Sequence, residues 1–162
     1  MIRTVLACSL LLIAACSSSG KPTDPVFDAA VEEILKDADS FELLTLDPMP
    51  LMAGATYEGR AFHGYKVLDA ADLDDIEQRS ALIGHVKRGI QKSDGTVAAC
   101  FNPRHGLHVT KGGESADFVI CYECLSLNVH GPAGRENHTT IEGVQPAVDR
   151  VFDTVGLRIQ GR

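Results

Sequence analysis

Asp117-Phe118-Val119-Ile120-Cys121-Tyr122-Glu123-Cys124-Leu125-Ser126-Leu127-Asn128-Val129 is the longest β-like run in the chain and decides the fold. Aliphatic and aromatic residues fill it, as they fill half-buried pleated surfaces. Upstream, Gly112-Gly113 supplies the positive φ values of a tight hairpin and joins the run to an expected strand from Leu107 to Thr110. Further strands are predicted over Phe41 to Leu46, Ala61 to Leu68, Thr96 to Phe101 and Thr139 to Ile141. The first is expected to stop at Asp47-Pro48-Met49-Pro50, because a residue before proline leaves the helical region and each proline removes a ladder donor.

Helical spacing brackets these strands. Asp24-Pro25 reads as a helix start followed by Phe27, Val31, Ile34, Leu35 and Ala38 on one face. Asp72, Asp74 and Asp75 place negative charge at the start of a second helix, and Lys87 and Arg88 place positive charge at its end. Leu73, Ile76, Ile83, Val86 and Ile90 define its apolar face. Val148, Val151, Phe152 and Val155 give a final helix ended by Gly156. Clustered strands with about three flanking helices predict an α+β domain with a mostly antiparallel sheet.

The amino terminus has a different pattern. Arg3 precedes an uncharged apolar run from Thr4 to Ala15, the order of a secretory signal, and the run is well short of the ~20 residues needed to span a bilayer. Ile13-Ala14-Ala15-Cys16 resembles the lipobox of bacterial lipoproteins. That resemblance implies cleavage before Cys16, acylation of Cys16 and a partner in the lipid bilayer, with several acyl chains giving stable anchoring where one gives little. Ser17 after the acceptor resembles the sorting signal for an outer membrane, where the host has one. Ser17 to Thr23 is small and polar and reads as a flexible tether. The expected organisation is a signal over 1–15, a lipidated tether over 16–23 and one domain over 24–162.

The formal charge of −7 becomes −8 once Arg3 leaves with the signal. An acidic domain without a basic stripe is a poor partner for nucleic acid. No nucleotide, haem or flavin signature is present.

Three cysteines remain beyond Cys8 and Cys16: Cys100, Cys121 and Cys124. An odd number in an oxidising compartment implies one disulfide with a spare thiol, a metal site or an intermolecular bridge. In a regular strand, Cys121 and Cys124 point to opposite faces with Cα atoms about 10 Å apart. That exceeds the ~7 Å limit for a bridge, so the expectation is that Cys100 pairs with one of them unless the strand is broken. The alternative is zinc held by Cys100, His105, Cys121 and Cys124, with His108 in reserve, which requires a bulge between the last two cysteines. A second alternative is a thiol-dependent enzyme with Cys100 as nucleophile and His105 or His108 as base.

Arg104 could grip a carboxylate or phosphate ligand, or pair with Glu123, the one charge inside the apolar run. Asn137-His138-Thr139 has the form of a glycosylation sequon and is read here as a loop.

From Phe41 onward the chain resembles a group of uncharacterised bacterial lipoproteins and secreted proteins. The resemblance rests on Phe41-Glu42-Leu43, Leu46-Asp47-Pro48, Gly64-Tyr65-Lys66-Val67-Leu68, Cys100-Phe101-Asn102-Pro103-Arg104-His105-Gly106 and Ile120-Cys121-Tyr122-Glu123-Cys124-Leu125. It places Cys100, Arg104, His105, Cys121, Glu123 and Cys124 within shared motifs and implies no activity. Together these readings predict a lipid-anchored envelope protein, a binding or structural module rather than an enzyme, with no resident cofactor unless zinc.

Overall fold

The computed structural model describes residues 25–161 apart from positions 53 and 55. The signal, the lipobox with Cys16 and the tether lie outside the described residues. The protein is α+β: among the described residues three α-helices lie against a seven-stranded antiparallel sheet. In chain order the elements are α1 (Ala29–Lys36), β1 (Ser40–Pro50), β2 (Ala61–Phe62), β3 (Tyr65–Asp72), α2 (Ile76–Gln91), β4 (His105–Lys111), β5 (Glu114–Cys121), β6 (Ser126–Gly131), β7 (Gly134–Thr139) and α3 (Gln145–Thr154). The strands lie in the order β2-β3-β1-β4-β5-β6-β7.

Alternation along the strands gives the sheet two faces. Phe41, Leu43, Leu107, Val109, Phe118, Ile120, Leu127 and Val129 join Val31, Ile34, Leu82, Val86, Val148 and Phe152 of the helices in the main core. Leu44, Leu46, Phe62 and Val119 form a smaller cluster on the opposite face, flanked by Tyr65, Val67 and Phe101. No helix residue joins that second cluster among the described residues, and the same face carries the polar side chains of Glu42, His108, Asp117, Asn128 and His130.

Local chemistry explains where elements begin. α1 starts at Ala29 rather than at Pro25, because the Asp28 carboxylate accepts the Ala30 N–H at 2.8 Å and caps the helix there. Asp75 caps α2 in the same way, accepting from Glu77 and Gln78. Of the expected apolar face of α2, Leu73 and Val86 are buried and Ile83 and Ile90 pack against the core, with Leu82 and Gly89 buried beside them, whereas Ile76, the first helical residue, is 73% exposed.

β1 continues through Pro48 to Pro50 instead of stopping at Asp47. Its pairing with β4 ends at Thr45, and its register with β3 shifts on either side of Leu46, so the prolines fall where no regular ladder needs their N–H. The expected strand Ala61 to Leu68 is a hairpin, β2 and β3, turned by His63 and Gly64 at φ 47° and 89°. Gly112 and Gly113 turn β4 into β5 at φ 59° and 87°. Residues 96–101 form no strand and belong to an irregular loop between α2 and β4. The last strand lies over Gly134–Thr139, so the sequon is in β7 and not in a loop.

Asp117 to Val129 is not one strand: β5 ends at Cys121, residues 122–125 turn, and β6 begins at Ser126. Leu125 adopts a left-handed φ of 55°, and its N–H bonds the Tyr122 carbonyl at 3.1 Å. The turn brings the Cys121 and Cys124 Cα atoms to 5.2 Å, and the two form a disulfide. The extended spacing that excluded this pairing does not exist.

Candidate functional site

The second face carries a row of directly paired side chains that crosses five strands. Glu42 of β1 lies opposite His108 of β4, His108 opposite Asp117 of β5, Asp117 opposite His130 of β6, and His130 opposite Arg135 of β7. Cross-strand pairs on one face are in side-chain contact range, so these five residues form one polar band. The β2–β3 hairpin folds over it. Arg60 grips Glu42 through two hydrogen bonds of 2.5 and 2.6 Å, and His63 Nε2 lies 2.7 Å from Asp117 Oδ2.

Asp117 is the hub. His108 Nδ1 lies 2.6 Å from its Oδ1, so both carboxylate oxygens accept from imidazoles. Burial pushes the carboxyl pKa up, but the hydrogen bonds from His63 and His108 more than offset this and hold it below the ordinary aspartate value. His63 stacks on His130 with ring centroids 3.8 Å apart. Burial, then the neighbouring His63 and Arg135, lowers the His130 pKa. A hydrogen bond from Arg60 holds Glu42 below its usual range.

Beside the band lies a groove of about 410 Å³ lined by His63, Tyr65, Phe101, Val119, Asn128, His130 and Arg135. Val119 and Asn128 form the adjacent cross-strand pair on the same face. Tyr65 and Phe101 form one wall, their rings 6.2 Å apart and edge-on, with the Tyr65 hydroxyl donating to the Phe101 carbonyl at 3.2 Å. Arg135 donates through Nε to Asn137. Among the described residues no carboxylate is within ion-pair range of its guanidinium.

The two cysteine-bearing motifs meet at one end of β4 and β5. Cys100 is an exposed free thiol whose Sγ is 2.6 Å from Cys124 Sγ. Arg104 Nη1 lies 2.8 Å from Glu123 Oε2, and the His105 and Tyr122 rings meet edge-on at 5.2 Å. Three contacts therefore clasp residues 100–105 to residues 122–124.

His105 lies on the helix-covered face, where its Nε2 is 2.5 Å from Asp149 Oδ1 of α3 and its ring packs edge-on against Phe152. Both members of this pair are buried. Burial also raises the Tyr122 pKa well above the usual phenol value, and the Tyr122 hydroxyl has no hydrogen-bond partner among the described residues.

Cys100, Cys121 and Cys124 thus come together, as do Arg104 and Glu123, while His105 and His108 lie on opposite faces of β4 and bond to Asp149 and Asp117. Among the described residues no three or more His, Cys, Asp or Glu side chains are arranged to hold a metal ion. Sequence reasoning missed His63, Asp117, His130 and Arg135. Comparison of the chain with models of known families, with curated proteins and with solved structures gives no match. Among the described residues no helix is long and apolar enough to cross a membrane.

Proposed function

We propose that the protein is a lipid-anchored binding module of the bacterial envelope, and that its groove takes a small anion carrying a planar apolar part. The anchor follows from the signal and from Ile13-Ala14-Ala15-Cys16. The observation that carries the ligand class is the Arg135 guanidinium, without a carboxylate partner among the described residues, placed in a groove whose other wall is Tyr65 and Phe101. A guanidinium presents a planar fork that matches a carboxylate, and aromatic edges accept a flat apolar body. Asn128 and His130 add neutral hydrogen-bonding groups, because His130 is held toward its uncharged form.

The test is titration of the purified full-length protein with benzoate, observed through the histidine ring signals by NMR. Saturable shifts confined to His63 and His130, lost in Arg135→Ala by about tenfold or more in affinity, are expected for a charge-assisted contact. No shift up to about 10 mM, beyond the range of a weak specific site, refutes the ligand class. The same preparation carries a mass test of the anchor: acyl chains on Cys16 support it, and an unmodified Cys16 removes it.

A further inference from the structure

We infer that Cys100, Cys121 and Cys124 form a thiol–disulfide exchange site in which the exposed Cys100 draws the buried disulfide to the surface. The inference is independent of the ligand proposed for the groove.

Its basis is the placement of three sulfurs. Cys121 and Cys124 are disulfide-bonded and almost wholly buried, at 1% and 0% exposure. An external thiol has no direct approach to either. Cys100 is exposed, unbonded and at 2.6 Å from Cys124 Sγ. Cys124 is the central sulfur, bonded to one neighbour and touched by the other.

The surrounding donors fit a transfer of charge. The Asn102 N–H donates to Cys124 Sγ at 3.3 Å, and the Cys124 N–H donates to Cys121 Sγ at 3.2 Å. In the exchange, Cys100 gives its proton to solvent and the thiolate attacks Cys124 Sγ. A Cys100–Cys124 bond forms, the Cys121–Cys124 bond breaks, and its electron pair leaves on Cys121 Sγ, which takes a proton from solvent. Nothing is oxidised or reduced overall. The backbone donor on Cys121 stabilises the departing thiolate before it is protonated. The new disulfide includes an exposed residue, so an external thiolate can attack Cys100 Sγ there: a mixed disulfide forms on Cys100, the Cys100–Cys124 bond breaks, and its electron pair leaves on Cys124 Sγ, which takes a proton from solvent.

The test uses full-length protein extracted from the envelope in detergent without reductant. Three variants, Cys100→Ser, Cys121→Ser and Cys124→Ser, are compared by intact mass and peptide mapping. The first two are each expected to be two hydrogens light, with the disulfide always including Cys124, and Cys124→Ser is expected to show two free thiols. A folded Cys121→Ser protein that leaves Cys100 and Cys124 as thiols overturns the inference. Should that variant not fold, the rate of disulfide reduction by dithiothreitol decides. Cys100→Ser is expected to slow it by about tenfold or more, since the reagent must then wait for local opening around a buried sulfur. Reduction at the unchanged rate overturns the inference.

Discussion

Replacing Asp149 by alanine removes the acceptor of a His105 ring N–H at a point where α3 meets the sheet. His105 and Asp149 are 1% and 3% exposed, so water cannot fill the role of the lost carboxylate without opening the core. Deleting one member of a buried pair of this kind costs about 3–5 kcal/mol, because the remaining polar group keeps its desolvation penalty. At this chain length a kcal/mol corresponds to about 4 °C, which puts the fall in Tm near 12–20 °C. Asp149→Asn retains a carbonyl oxygen for the imidazole and is expected to lose about 1.5–3 kcal/mol, the worth of a charge-assisted bond. The assay is equilibrium unfolding in urea, with Asp153→Ala as control. Asp153 pairs at 3.3 Å with an Arg158 that is 83% exposed, so its loss is worth under about 1 kcal/mol. If Asp149→Ala unfolds at the same urea concentration as Asp153→Ala, the buried pair does not bolt α3 to the sheet.

Tyr122→Phe is expected to leave stability unchanged or raise it by up to about 1 kcal/mol in the same assay, since it deletes a buried hydroxyl without a hydrogen-bond partner among the described residues; a loss above 1 kcal/mol would show that the hydroxyl is satisfied. Asp117 has a depressed pKa in the folded state, so its contribution is present above the unfolded aspartate value and is lost as pH falls through the folded one. Stability measured from pH 6 downward is therefore expected to fall less steeply in Asp117→Asn than in the parent protein, and parallel curves would refute this.

The core was legible because burial obeys simple periods. Val31 and Ile34 repeat at helical spacing, and Leu107 with Val109 alternates along a strand, so each element announced its buried face. The polar band was partly legible too. Residues equidistant from Gly112-Gly113 pair across the hairpin, which places His108 opposite Asp117 once that turn is accepted. His130 stayed out of reach because its pairing with Asp117 depends on a turn at residues 122–125. Continuous apolar character concealed that turn, and the sign of it was Glu123: a charge within such a run marks where the chain reaches solvent, and Glu123 is half exposed on the turn. Missing one turn therefore cost both the cysteine pairing and the histidine band. The stacking of His63 on His130 was invisible for another reason, since it depends on how the β2–β3 hairpin folds over β4 and β5, which no local pattern encodes.

The same turn couples the clasp to the groove. The loop between α2 and β4 has no regular structure, so a few tethers fix its path. Ala98 N–H bonds the Cys124 carbonyl at 3.1 Å, Asn102 N–H bonds Cys124 Sγ, and Cys100 Sγ touches the same sulfur. On the other side Tyr65 holds the Phe101 carbonyl, and the Leu46 N–H holds the Arg104 carbonyl at 3.0 Å. Phe101 lies between these two sets and lines the groove. The wall is thus held on one side by β1 and β3 and on the other by the turn over residues 122–125, where Cys124 takes three of the contacts and Glu123 adds its ion pair with Arg104. Rigid sites need supports that do not themselves move. A change in the partner of Cys124 consequently acts on the loop that shapes the groove, which ties the two cysteine-bearing segments of the sequence to a face that neither of them forms alone.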